Sequence, residues 1–116
     1  MDINKVIIIG RVAQEPIFRD SRVIFTVATN KFWIDKDTGE KKNRVEYHNC
    51  IAWHKLVDII KMVEKGRLIY VEGHIETNIY EKDGQTIKNK QVVAEIIQFL
   101  SKNYENENKR DDNLLP

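Results

Sequence analysis

Residues 44–53 read Arg44-Val45-Glu46-Tyr47-His48-Asn49-Cys50-Ile51-Ala52-Trp53. β-Branched and aromatic residues are frequent in this segment, and both kinds are enriched in strands. Successive side chains of a strand point to opposite faces, so one face would carry Val45, Tyr47, Asn49, Ile51 and Trp53. The segment therefore predicts a strand with two large aromatic rings on one face.

A charged segment lies between this strand and another tryptophan. Trp33 is followed by Asp35-Lys36-Asp37-Thr38-Gly39-Glu40-Lys41-Lys42-Asn43, in which Gly39 suits a turn. From Lys31 to Arg44, five basic residues oppose three acidic ones. Aromatic rings beside a mobile basic hairpin would supply stacking surfaces and a positive groove, which are the two features that single-stranded nucleic acid requires.

The alternative interpretation of the same residues is structural. Aromatic residues in strands mostly belong to a core, and mixed charge runs mostly form solvated loops. Each ring taken alone is more often a core side chain than a ligand contact. The combination of rings and basic residues is what favours binding.

Length and composition restrict the class of protein. The 116 residues make one domain with room for its own core. The longest apolar run, Val6 to Ile9, is far shorter than the roughly 20 residues that span a bilayer, and no signal segment opens the chain. Cys50 is the single cysteine, which excludes an intrachain disulfide. The simplest expectation is a cytoplasmic protein without membrane contact.

Five segments have the pattern of strands, and one has the pattern of a helix. The predicted strands are 4–12, 22–31, 44–53, 68–77 with a continuation to residue 80, and 88–100. The predicted helix is 55–65, because Leu56, Ile59, Ile60 and Val63 recur at helical spacing and Gly66 suits a C-terminal cap. Gly73 indicates a bulge or bend, and Asp83-Gly84 indicates a hairpin turn.

This order of elements predicts the fold class. Five strands with a helix between the third and fourth are the plan of a small Greek-key barrel, the oligonucleotide/oligosaccharide-binding (OB) fold. The protein is thus expected to be all-β with one helix, with its barrel domain at 1–101. Residues 102–116 are mostly polar, so they are expected to form a short disordered tail.

The first predicted strand also indicates assembly. Val6-Ile7-Ile8-Ile9 is apolar on both faces, whereas an antiparallel sheet normally leaves one face to water. The second apolar face is therefore expected to meet another subunit.

The sequence resembles the bacterial single-stranded DNA-binding protein family over residues 3–100. The resemblance rests on the order and spacing of several short stretches. They are Asn4-Lys5-Val6-Ile7-Ile8-Ile9-Gly10, Ala28-Thr29-Asn30, Glu46-Tyr47-His48, His54-Lys55-Leu56, Lys65-Gly66, Tyr70-Val71-Glu72-Gly73, Asp83-Gly84-Gln85 and Gln98-Phe99-Leu100. The resemblance implies single-stranded DNA binding with little sequence preference, in replication, recombination and repair, in the bacterial cytoplasm with the nucleoid.

The resemblance also implies roles for individual residues. Base stacking would fall to Trp33, Tyr47, Trp53 and Tyr80, which match the aromatic positions of the family. Candidate phosphate-binding residues, taken from the basic residues near these rings, are Lys5, Arg11, Lys31, Lys36, Lys41, Lys42 and Arg44.

Assembly and partners follow from the same resemblance. It implies a homotetramer built from dimers that pair through the first strand, with Val6, Ile8, His48 and Gln98 at the subunit interface. The family usually ends in an acidic, apolar tip that recruits replication and repair proteins. The corresponding residues here are Asp111, Asp112, Leu114, Leu115 and Pro116, and the final phenylalanine of the family is absent.

Two other classes of function were weighed against this one. An OB-fold module for protein contacts, of the primosome accessory type, would use the same aromatics as core or interface residues. A zinc site would draw on His48, Cys50 and His54, but paired ligand spacing and a fourth ligand are lacking. The sequence shows no phosphate-cradling loop and no nucleophile with a placed base. We therefore expect no enzyme activity, no metal and no cofactor.

Overall fold

The structure is a computed structural model, and it describes residues 1–100. Within them lie six strands and one helix. In chain order these are β1 (Val6–Val12), β2 (Ile17–Arg19), β3 (Arg22–Ile34), β4 (Lys41–Trp53), α1 (Lys55–Ile60), β5 (Leu68–Lys82) and β6 (Gln85–Phe99). The predicted disordered tail, 102–116, and the predicted domain boundary at residue 101 lie outside the described residues.

Five of the strands close into a barrel. The neighbours in the sheet run β1-β5-β6-β4-β3, and β3 returns to β1 through the pairs Arg11–Ala28 and Val12–Val27. All pairings are antiparallel except the short parallel contact between β4 and β6. The helix follows β4, between the third and fourth strands of the barrel. The predicted OB-fold barrel is confirmed.

Aliphatic side chains fill the barrel. Valine, isoleucine and alanine from the five strands and from α1 form one buried cluster, and Phe25 is the one aromatic ring in it among residues 1–100. None of the four predicted stacking aromatics belongs to this cluster. The core is therefore complete without them, which contradicts the structural alternative that made them core residues.

The prediction missed one short strand. Residues 17–19 form β2, which pairs with the start of β3 through Ile17–Ile24, Phe18–Val23 and Arg19–Arg22. The sequence indicated only a turn at 19–22, and that turn is present with Asp20 at a positive φ of 52°. Three residues are too few to show a period-2 pattern, and their pairing depends on a neighbouring strand.

The helix is shorter than predicted. It ends at Ile60, and the chain then tightens into turns in which the Val63 amide donates to the Ile60 carbonyl at 2.8 Å. Val57, Ile60 and Val63 are buried against the barrel, whereas Leu56 and Ile59 only flank the core. Helical spacing thus identified Ile60 and Val63 as buried but missed Val57, and it did not show where regular hydrogen bonding stops.

The bulge predicted at Gly73 is present. In the β5–β6 ladder Glu72 pairs with Ile96 and Gly73 pairs with Ala94, so Glu95 is the extra residue, on β6. A bulge increases the local twist of a strand pair, which helps a small sheet to close.

The bulge region holds a histidine between two carboxylates. His74 lies on β5, with Nδ1 2.6 Å from Oε1 of Glu95 and Nε2 2.5 Å from Oε2 of Glu76. The Glu76 and Glu95 carboxylates raise the pKa of His74 above its ordinary value of 6.5, because both bond to the imidazolium. The protonated ring therefore ties Glu95 of β6 to β5.

This arrangement predicts pH-dependent stability. Because the folded pKa of His74 is raised, its contribution is complete below the unfolded pKa and disappears as the pH rises through the folded pKa. His74→Gln is expected to lower the melting temperature more at about pH 6 than at about pH 9. Melting curves of the wild type and of His74→Gln at the two pH values test this. His54→Gln is the matched control, because His54 has no carboxylate partner within residues 1–100 and no such contact is lost in that variant. An equal effect of His74→Gln at both pH values would contradict the prediction.

Candidate nucleic-acid interface

The strands β3 and β4 form one long hairpin that extends beyond the barrel. Their ladder runs without a register shift from Arg22–Trp53 to Ile34–Lys41. The prediction ended β3 at residue 31 and began β4 at residue 44, so both strands are three residues longer than expected. Lys41, Lys42 and Asn43 are therefore strand residues, and the connecting loop is only 35–40.

Asp35 organises this loop. Its Oδ1 accepts hydrogen bonds from the amides of Asp37 at 2.8 Å and Thr38 at 3.3 Å, and Gly39 closes the turn at φ 73°. The backbone amide of Asp37, the ammonium of Lys42 and the amide of Thr38 lower the pKa of the Asp35 carboxyl, since all favour its charged form. The hairpin expected to be mobile thus has a defined turn at its tip.

The register of the hairpin separates its side chains into two faces. Side chains of paired residues lie on the same face of an antiparallel ladder. We call one of them the Trp33 face; it carries Val23, Phe25, Val27, Thr29, Lys31 and Trp33 of β3, and Lys42, Arg44, Glu46, His48, Cys50 and Ala52 of β4. We call the opposite one the Tyr47 face; it carries Arg22, Ile24, Thr26, Ala28, Asn30, Phe32 and Ile34 of β3, and Lys41, Asn43, Val45, Tyr47, Asn49, Ile51 and Trp53 of β4.

All four predicted stacking residues are at the surface, but they do not share one face. The exposed fractions are 40% for Trp33, 64% for Tyr47, 39% for Trp53 and 39% for Tyr80. Tyr47 and Trp53 share a face, as the period-2 pattern predicted, and Arg22 lies over the Trp53 ring at 5.7 Å. Trp33 projects from the opposite face, which only the register of β3 with β4 could reveal.

Tyr80 lies on a second hairpin. It belongs to β5 near the β5–β6 turn, pairs with Ile87, and its hydroxyl accepts a hydrogen bond from the Asn89 amide at 3.3 Å. Its ring remains at the surface, away from the β3–β4 hairpin in the sheet order. A ligand that met all four aromatics would therefore have to cross both hairpins.

Two grooves lie beside these rings. The larger, about 590 Å³, brings together Trp33, Lys31 and Arg44 and is completed by Thr29, Asn30 and Glu46. The smaller, about 180 Å³, lies between β4 and the β5–β6 hairpin and is lined by Tyr47, His48, Asn49, Ile75, Lys90, Gln91 and Val92. The sequence pattern did not predict a role for Lys90, because nothing in the last strand indicates that this residue lines a groove with Tyr47.

Most of the predicted phosphate-binding residues have carboxylate or carbonyl partners. Lys42 lies 3.1 Å from Asp35, Arg44 lies 3.4 Å from Glu46, and Lys5 lies 3.8 Å from Glu72. Arg11 donates to the Gly66 carbonyl at 3.1 Å. Ion pairs at the surface contribute little stability and are screened by salt, so the three cations can exchange a carboxylate for a phosphate at small cost.

The remaining three predicted phosphate-binding residues have other surroundings. The Lys41 ammonium lies 5.5 Å from the centroid of the Phe32 ring. Lys31 and Lys36 form no ion pair within residues 1–100. Lys31 lines the larger groove beside Trp33, and Lys36 lies in the loop at the hairpin tip.

Comparison with known proteins places the chain in a family. The model of the single-strand binding protein family matches residues 3–100, which is nearly the whole described chain. This chain belongs to the single-strand binding protein family. The resemblance seen in the sequence is therefore confirmed.

Individual family members are similar over most of this chain. A protein named single-stranded DNA-binding protein from Neisseria meningitidis serogroup A is 35% identical over 91% of this chain, and the chain spans 64% of that relative's length. Single-stranded DNA-binding protein 1 of Xylella fastidiosa is 32% identical over 98% of this chain and 91% of its own. The structure titled Plasmodium falciparum SSB complex with ssDNA has a TM-score of 0.75 at 29% identity, covering 87% of this chain and 97% of that one.

The residues predicted for the subunit interface fall in different environments. Ile8 is only 6% exposed and belongs to the barrel core, so its prediction as an interface residue was wrong. Alternation along β1 instead turns Ile7 and Ile9 outward, with exposed fractions of 55% and 54%. Val6 is half-buried against the core, since it shares the inward face with Ile8.

The other two predicted interface residues lie on different strands. His48 of β4 is half-buried, and its Nε2 lies 2.9 Å from the Thr29 hydroxyl. Gln98 of β6 is exposed and pairs with Tyr70 of β5, the strand beside the outward face of β1. Gln98 therefore lies on the same side of the barrel as Ile7 and Ile9, whereas His48 does not.

The three residues weighed as zinc ligands do not form a site. Within residues 1–100, no cluster of three metal-ligating side chains occurs. Cys50 is buried, and burial raises the pKa of its thiol to about 12. The thiolate that a metal requires is thus strongly disfavoured. In the same part of the chain, no helix has both the length and the apolar content to cross a membrane.

The remaining predicted site residues are those of the expected partner-docking tip. Asp111, Asp112, Leu114, Leu115 and Pro116 lie outside the described residues. Their role stays a prediction of the sequence.

Proposed function

We propose that this chain binds single-stranded DNA by stacking bases on Trp33, Tyr47, Trp53 and Tyr80, while nearby basic side chains neutralise phosphates. The observation that carries the proposal is the exposure of all four rings on a barrel whose core does not need them. Large aromatic side chains left at the surface of a folded domain commonly mark a binding surface. Stacking tolerates any base, so little sequence preference is expected.

The charge around the rings supports the same function. Lys31 and Arg44 border the groove beside Trp33, and Lys90 borders the groove beside Tyr47. A flat ring next to a cation matches the alternation of base and phosphate along a single strand. Duplex DNA has its bases already stacked on each other, so it would gain only the phosphate contacts.

The two-faced hairpin favours a wrapped path for the DNA. Because Trp33 and Tyr47 project from opposite faces of β3–β4, a straight strand cannot stack on both. The DNA would contact one face, pass around the hairpin and continue on the other.

Assembly is part of the proposal. The outward Ile7 and Ile9 form an exposed apolar strip on β1, which suits pairing of two barrels into a dimer and of dimers into a homotetramer. In the cell this assembly would coat single strands during replication, recombination and repair, and recruit replication and repair proteins through the C-terminal tip. A bacterial cytoplasmic location with the nucleoid follows from that role.

A fluorescence titration tests the proposed function. Trp33 and Trp53 are the only two tryptophans of the chain, and both are exposed. Oligo-dT is therefore expected to quench most of the exposed tryptophan emission, duplex DNA of equal length is expected to quench little, and added salt is expected to weaken binding in part.

The duplex titration is the control for non-specific electrostatic binding. If oligo-dT left the emission unchanged and a filter assay also detected no complex, the DNA-binding proposal would fail. The tryptophans would then belong to a protein-binding surface, as expected for the alternative function of an OB-fold accessory module.

A further inference from the structure

We infer that Phe32 is a fifth base-stacking residue, which extends the aromatic row of the Tyr47 face to the tip of the β3–β4 hairpin. The inference rests on the proposed function, since it assigns a further contact to the same single strand. Phe32 precedes Trp33 in the chain, and the sequence pattern alone assigned it no role.

The first observation is the exposure of the ring. Phe32 is 59% exposed, more than Trp33 and nearly as much as Tyr47. A phenylalanine ring left at the surface forgoes much of the free energy that its burial would contribute to folding. Within residues 1–100, the one ring or cation contact of Phe32 is with Lys41.

The second observation is the position of the ring. Phe32 is on the Tyr47 face, and it lies four residues along β3 from Ala28, the partner of Tyr47. At a rise of about 3.4 Å per residue, Phe32 is roughly 14 Å from Tyr47, and Trp53 is roughly 20 Å from Tyr47 in the other direction. The three rings thus form one row along the hairpin. A strand that stacks on Trp53 and Tyr47 and continues towards the tip reaches Phe32 next.

The third observation is the charge of this face. Between Arg22–Trp53 and Ile34–Lys41, the Tyr47 face carries two basic side chains and no acidic one. The Trp33 face carries three lysine and arginine side chains together with Glu46, which pairs with Arg44, so both faces have a surplus of two positive charges. The Lys41 ammonium lies 5.5 Å from the Phe32 centroid, close enough to meet the phosphate of a nucleotide stacked on that ring. A polyanion is therefore the occupant that this face favours.

An apolar protein surface is the competing occupant, because Ile34 is exposed beside Phe32. A base and an apolar protein surface require different side chains at residue 32. A base needs the flat π face of an aromatic ring, whereas a protein pocket needs apolar volume. Phe32→Tyr keeps the ring, and Phe32→Leu keeps much of the apolar volume without it.

The test is the affinity of Phe32→Leu and Phe32→Tyr for fluorescently labelled oligo-dT, short and long, with tryptophan quenching as a second readout. Phe32→Leu is expected to weaken binding of the long oligonucleotide about 5-fold or more, whereas Phe32→Tyr stays within about 2-fold of wild type. The loss should shrink with oligonucleotides too short to extend from Tyr47 to the tip. Ile34→Ala is the matched control, because it removes an exposed apolar side chain from the same face without removing a ring, and it should bind as wild type.

Three outcomes would overturn the inference. Wild-type affinity of Phe32→Leu would show that the ring does not contact DNA, and equal losses in both variants would show that the π face is not what matters. A change of assembly in Phe32→Leu, measured by sedimentation, would assign the ring to a subunit contact. The proposed function fails separately, if the wild-type protein itself does not bind oligo-dT.

Discussion

Replacement of Gly73 by alanine is expected to destabilise the barrel by about 3 kcal/mol or more, at the upper end of the range for overpacked cores. A Cβ at residue 73 would overlap the carbonyl oxygen of Val93 and lie 2.8 Å from its carbonyl carbon. Both groups are backbone atoms of paired strands, so neither can move aside as a flexible side chain would. The strand pair that carries the bulge would have to separate.

Equilibrium unfolding in urea measures this change. The expected loss is a large fraction of the roughly 5–15 kcal/mol that holds a typical domain folded, so partial unfolding at room temperature is also expected. Gly84→Asn is the matched control, since Gly84 has a positive φ of 77° that asparagine tolerates and open space where a Cβ would go. The control should cost under about 1 kcal/mol. Similar midpoints for the two variants would contradict the close approach of β5 and β6 at Gly73.

Loss of both Trp33 and Tyr47 is expected to produce the largest fall in DNA affinity. Each base stacked on an aromatic side chain is worth roughly 1–3 kcal/mol, so each single alanine substitution should weaken binding about 5-fold to 150-fold. The two rings are on opposite faces of the hairpin and share no partner. Their effects on the binding free energy should therefore add in the double variant.

The measurement is a double-mutant cycle on long oligo-dT with tryptophan fluorescence as the signal, which Trp53 still supplies in the variants that lack Trp33. Met62→Ala is the control, because it removes a large exposed side chain that is on neither hairpin and should leave the affinity unchanged. Additive losses support a strand that contacts both faces. A normal affinity in either single variant would mean that DNA uses only one face, and the wrapped path would be wrong.

Part of the fold followed from local pattern alone. The β-branched runs of β1 and β3, the Asp83-Gly84 turn and the helical stripe ending at Val63 each express a preference of a few neighbouring residues. Such preferences do not depend on the rest of the chain, so the order of the main elements could be predicted. The bulge at Gly73 belongs to the same group, because a glycine in a strand interior marks a close backbone approach.

Features that depend on a distant partner strand were missed or misplaced. β2 exists because it pairs with β3, and the strand ends at Ile34 and Lys41 exist because those residues pair with each other. Ile8 was expected at a surface because four apolar residues in a row do not show which parity faces inward. The pairing of β1 with β5 and β3 decides which residues of β1 face the core.

The candidate site also has features that follow from local sequence and features that depend on a distant partner strand. Residue types and their order were sufficient to predict the family, the barrel and the aromatic residues of the candidate site. The pairing of distant strands was needed to show that the core excludes the rings, that Trp33 and Tyr47 face opposite ways, and that Phe32 continues the row of Tyr47 and Trp53. The cause is the register of the strands. A strand alternates its side chains between two faces by itself, but its pairing with the neighbouring strand decides which residues of the two strands share a face.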